Sequence, residues 1–179
     1  MLYKIALFLH ITGALMVCAA IAIEWLCIIH FRKTASMDRI KESLFYYSRI
    51  GIMGDIGALL LLIPGIYMML SVWGDARWAI FGFLGLILIG LIGGIITGRK
   101  MKKIRKIMKE NNAHSQELEK LINDNSLWFS IKMRTAIFLG VIFLMTLKPE
   151  LEGSIITISV SIILGALPLR MKYEPSAAG

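Results

Sequence analysis

His10 sits inside an uncharged apolar stretch, where an imidazole must find a partner because hydrocarbon cannot solvate it. Gly13, Val17, Ala20 and Glu24 follow on the same helical face, so the ring belongs to a stripe that points into a bundle rather than into lipid. Such a ring either hydrogen-bonds a neighbouring helix or ligates a metal or haem iron through one nitrogen. His30 cannot share one iron with it, since the two lie ~30 Å apart along a helix, and His114 falls in a polar link far from it. The soft donors expected at the depth of His10 are Met68, Met69 and Met145, whose thioethers can ligate haem iron or Cu(I) and can equally fill gaps in an apolar core.

A second set of groups lies deeper. Glu24, Asp55 and Arg134 each fall several residues inside an apolar stretch, where an unpaired charge costs at least ~2.5 kcal/mol on insertion scales. A mutual network follows as the economical arrangement, serving either as a structural ion pair or as a path for a proton or ligand. Gly90, Gly94 and Gly98, with Gly93 beside them, form a small-residue stripe. Without a Cβ, such a stripe admits another helix, a second copy of the chain, or a flat ligand such as a porphyrin or quinone. Pro64-Gly65 predicts a kink, because proline removes a backbone donor and crowds the preceding turn.

The elements that must carry these groups are membrane helices. A hydrophobic fraction of 57% and a mean hydropathy of +0.72 exceed what a soluble chain of 179 residues can hide beneath a polar shell. The stretch from Trp78 to Gly98 holds no charged side chain and is long enough to cross a hydrocarbon core of ~30 Å. The sequence predicts an all-α transmembrane bundle, a single domain over 1–179, with five spans at about 5–31, 50–73, 78–98, 127–147 and 153–169. A helical hairpin is expected over about 99–126, since Met101, Ile104 and Met108 recur at helical spacing, as do Leu118 and Leu121. Its tip would be Asn111 to His114, with Ser115 as a helix cap, and Ser36 would cap the helix whose apolar face is Ile40, Leu44 and Tyr47.

Charge sets the orientation. Of 20 Lys and Arg residues, all but Lys4, Arg77 and Lys148 fall on one side of the five-span reading, Arg170 and Lys172 included. The positive-inside rule then puts the N-terminus outside and the C-terminus in the cytoplasm of a bacterial inner membrane. The net charge of +8 is therefore read as lipid-facing and topological, not as a nucleic-acid surface. Cys18 and Cys27 both lie in the first span and read as free thiols, and that span reads as an uncleaved helix rather than a signal peptide. The connections Gly74 to Arg77 and Lys148 to Glu152 are too short for a folded domain. Ser176 to Gly179 reads as a tail without a role.

Leu7-Phe8-Leu9-His10-Ile11-Thr12-Gly13-Ala14 resembles the first span of the DUF2269 family of bacterial inner-membrane proteins. That family is in turn similar to the small bundles that include copper-resistance D proteins and the HemJ-type protoporphyrinogen oxidase. The resemblance rests chiefly on His10 with Gly13, and this chain has Met16-Val17-Cys18 where the relatives often place a Trp with small residues. It implies b-type haem bound near the outer leaflet through His10, with Cu(I) handling as the alternative. A non-catalytic scaffold or small-molecule transporter using Glu24, Asp55 and Arg134 is the third expectation, and whether the chain is an enzyme stays open.

Overall fold

A computed structural model describes residues 1–33, 37–109 and 116–167. Among them every regular element is helical: α1 (Leu2–Lys33), α2 (Met37–Met68), α3 (Arg77–Ile92), α4 (Arg99–Lys109), α5 (Gln116–Ile122), α6 (Asn125–Leu147) and α7 (Leu151–Ala166). Two π-helical segments, Met69–Trp73 and Gly93–Gly98, prolong α2 and join α3 to α4. The expected caps Ser36 and Ser115, the tip Asn111 to His114, Arg170, Lys172 and the tail lie outside the described residues.

Among the described residues, four helical stretches are long and apolar enough to cross a membrane: Leu2–His30, Glu42–Trp73, Arg77–Lys109 and Gln116–Leu147. The fifth apolar helix, Leu151–Ala166, has 16 residues and so reaches only ~24 Å, short of a ~30 Å core on its own. The apolar surface is turned outward, as lipid demands. Phe8, Ile11, Leu15 and Leu26 are exposed on α1, and Ile156, Val160, Ile163 and Leu164 on α7, while Ala20 and Glu24 of α1 and Ser154 and Ser161 of α7 are buried.

Packing follows the small residues. α1 and α2 share the most extensive interface, closed at Gly13 and Gly57. A Cβ on Gly13 would lie 2.5 Å from the Leu61 backbone nitrogen, and one on Gly57 would lie 2.8 Å from Met16 Cβ. α6 and α7 meet in the same way, with Ser154, Ser161 and Gly165 buried and a Cβ on Gly165 falling 2.8 Å from Met133 Cα. The third extensive contact joins α3 to α6, whereas α2 and α3 barely touch. The bundle is therefore split along the α2–α3 seam.

At the basic end, Met101, Ile104 and Met108 of α4 are buried with Ile40, Leu44, Leu118, Ile122 and Leu127, so the amphipathic helices form an apolar knot beyond the spans. Asp124 caps α6 by accepting from the Ser126 amide at 2.8 Å and is gripped by Lys100. The Lys100 contact and the cap hold its carboxyl below the ordinary range, at about 2. At the far end, Gly74 takes a positive φ of 53° in the turn before α3, and the rings of Trp73 and Trp78 meet at a tilt beside it with centroids 4.9 Å apart. Lys148, in the left-handed region, ends α6 just before Pro149.

Candidate functional site

The charged layer assembles only in part. Arg134 Nη2 donates to Glu24 Oε1 at 2.5 Å, and Tyr47 Oη donates to the same oxygen at 3.2 Å. Both charged residues are buried, Glu24 to 6% and Arg134 to 9% exposure. Arg134 also reaches Thr97 Oγ1 at 3.4 Å, and Thr97 is hydrogen-bonded to Ser130 at 2.8 Å. Both hydroxyls are buried, so a polar file runs from the ion pair between the Gly93–Gly98 segment and α6. The guanidinium lies against Gly93, where a Cβ would sit 3.1 Å from Nη1. This glycine opens the Gly93–Gly98 π segment, a wider turn of a kind that recurs at functional sites.

Asp55 stands apart from that network. Among the described residues it has no hydrogen-bond or ion-pair partner, and it is exposed. It does share a cavity of about 330 Å3 with Glu24, Tyr47 and Arg134. The cavity occupies the split between α2 and α3: Gly51, Gly54, Asp55 and Ala58 line one side, and Gly90, Gly93 and Gly94 the other. Val17, Ala20 and Ile21 of α1 close its floor. Its volume lies at the lower end of small-molecule sites, about 300–1,000 Å3.

Gly90 on α3 and Gly94 in the π segment are not packed against another helix of the chain. A Cβ on Gly90 or Gly94 would have nothing within 4 Å, because both face the open split. The close approach expected there occurs instead at Gly13 and Gly57, where α1 crosses α2.

His10 occupies a second, smaller site toward the far end. Its Nδ1 is 2.7 Å from the carbonyl oxygen of Leu61, so Nδ1 must carry the proton, and Nε2 of the neutral ring keeps its lone pair. The ring lies against Gly65, where a Cβ would be 3.0 Å from Nδ1. Pro64 next to it has no N–H for the preceding turn, which loosens the carbonyls there. His10, Met69 and Met145 line one space of about 30 Å3, with Trp73 and Phe83 also in its walls. Met68 is fully buried and is not among those walls. That space suits one water or one ion. A porphyrin is many times larger, and the residues around His10 as they stand do not make room for one. Among the described residues no cluster of three or more His, Cys, Asp and Glu side chains is placed to hold a metal.

The two spaces adjoin, sharing Leu61, Leu62 and Leu86 as walls. The fold and site define an all-helical chain with several helices able to cross a membrane and a mixed polar and apolar cavity between two of them. No family model matches the chain, and no curated protein or solved structure matches it either.

Proposed function

We propose that this chain is a five-span bacterial inner-membrane protein that binds a small amphiphilic molecule in the α2–α3 split, as a carrier or receptor for that molecule. In this reading the N-terminus is outside, the basic α4–α5 end is cytoplasmic, and α7 completes the fifth crossing. The observation that carries the function is the cavity of about 330 Å3, which combines apolar walls with Glu24, Asp55 and Arg134 at membrane depth. Ionisable groups inside a bilayer are costly, and the pairing of Glu24 with Arg134 offsets that cost for two of the three.

The test uses the protein in lipid nanodiscs with a photoreactive C12 alcohol, its crosslinks mapped by mass spectrometry. Labelling concentrates on Ala58, Leu62 and Ile89 and falls in Gly90→Phe, which sets a ring into the split from a position where a Cβ meets nothing within 4 Å. Equal labelling of the outward residues of α7, unchanged by Gly90→Phe, would remove the proposal.

A second reading keeps the chemistry of His10. The Leu61 carbonyl fixes the ring in the tautomer that metal-binding histidines use, and Met69 and Met145 share its small space. A single Cu(I) fits that donor set better than haem does. Titration with Cu(I) under a competing chelator tests it: binding lost in His10→Ala and weakened in Met145→Leu supports the reading, and identical binding in all three proteins ends it. Adding haemin to the same preparation and finding a Soret band that His10→Ala abolishes would restore the haem expectation.

A further inference from the structure

The cavity in the α2–α3 split carries charged groups of both signs, but they are not equivalent. Glu24 and Arg134 answer one another at 2.5 Å, with Tyr47 and Thr97 adding bonds to the carboxylate and the guanidinium. An anionic ligand would have to take Arg134 from a carboxylate it already holds in a buried pair. Asp55 has no such partner among the described residues, and it is exposed in the same cavity. The lining therefore carries one carboxylate more than it has cations. A lone carboxylate at this depth is costly without a counter-charge. The rest of the lining near Asp55 is glycine, alanine and aliphatic, and it offers no second cation.

Arg134 lines the cavity too, nine-tenths buried, and its guanidinium is already engaged by Glu24 and Thr97, so the lining's cation is not free to answer Asp55. From Asp55 the walls run through Leu62, Leu86 and Ile89 toward the His10 end, an apolar trough ~10 to 15 Å long for a body of several carbons. Gly90 and Gly94 leave the side of that trough open.

We infer that Asp55 is the recognition group of this cavity and that its ligand is an ammonium carried on an apolar body, entering between α2 and α3 from the lipid. The inference rests on the proposed small-molecule reading and names the class of molecule. Two sources share this chemistry, a free lipophilic amine and the headgroup of an aminophospholipid whose chains stay in the bilayer. Glu24 and Arg134 frame the site, and Asp55 supplies the charge selection.

The experiment displaces the photoreactive C12 alcohol from protein in phosphatidylglycerol nanodiscs with dodecyltrimethylammonium, dodecanol or dodecanoate. In the wild type the ammonium displaces the label at about tenfold lower concentration than dodecanol. In Asp55→Asn the two become equal while dodecanol is unchanged, and Asp55→Glu keeps most of the difference. Ammonium and alcohol acting alike in the wild type, or dodecanoate acting best, would overturn the role of Asp55 and leave the small-molecule site standing. If no probe displaces the label, both readings fall. Including phosphatidylethanolamine separates the sources: a weakened ammonium response assigns the site to the lipid headgroup, an unchanged one to a free amine, and either result upholds an ammonium site.

Discussion

Removing one member of the Glu24–Arg134 pair leaves the other charge stranded in the interior of the bundle. Both residues are at least nine-tenths buried and the bond is 2.5 Å long, so neither has bulk water to fall back on. For such pairs, loss of one partner costs about 3–5 kcal/mol, whereas replacing both by apolar groups of similar volume is often neutral or stabilising. Arg134→Met therefore loses about 3–5 kcal/mol by stranding Glu24, with Tyr47 as the one remaining donor to that carboxylate among the described residues. Glu24→Leu loses a similar amount by stranding Arg134, whose Nε is already unmatched and whose Thr97 contact is long at 3.4 Å. The double variant loses far less than the sum, leaving a coupling energy of several kcal/mol. Reversible unfolding in mixed micelles, titrated with a denaturing detergent and followed by tryptophan fluorescence, measures all four corners of the cycle. Single variants that each lose under about 1 kcal/mol, or a double variant that loses the full sum, would refute the pair as a buried, mutually dependent contact.

Gly13→Ala should lose about 1–3 kcal/mol, since its Cβ meets the Leu61 backbone at 2.5 Å, while Gly90→Ala and Gly94→Ala should stay near wild type in the same unfolding assay. Asp124→Ala removes the α6 cap and should cost about 1 kcal/mol. Because Asp124 titrates at about 2 in the folded chain, below its ordinary 3.8, its contribution is present above pH 3.8 and fades as pH falls toward 2. Asp124→Asn should flatten that slope in an acid titration. Tags at the two ends should report from opposite sides of the membrane in a protease-accessibility assay, and finding both on one side would end the five-span reading.

The long apolar helices were legible in the sequence because a run of uncharged residues has few other uses. The pairing of Glu24 with Arg134 was legible too, since depth and charge sign left few partners. Asp55 shared that logic and departed from it. Its place at similar depth said nothing of whether α2 would bring it across to the pair, and α2 in fact holds it on the other side of the split. The glycines show a related limit. A small-residue stripe names a face but not what approaches it, and the face at Gly13 was filled by α2 whereas that at Gly90 and Gly94 was left open. The grouping of Met69 and Met145 with His10 followed from depth, but Met68, one residue away, turned into the core because adjacent positions on a helix point about 100° apart. The π-helical segments had no sequence signal.

The six residues from Gly93 to Gly98 have a mechanical consequence. Tightening that wide turn by one residue would rotate α3 by about 100° relative to α4. With Met101, Ile104 and Met108 locked in the basic-end knot, the rotation falls entirely on the upper shaft, carrying Gly90 off the wall of the split and drawing Gly93 away from Arg134. A change of hydrogen-bond pitch in one short stretch would thus act as a clutch, engaging or releasing the upper half of the rod while its base stays still.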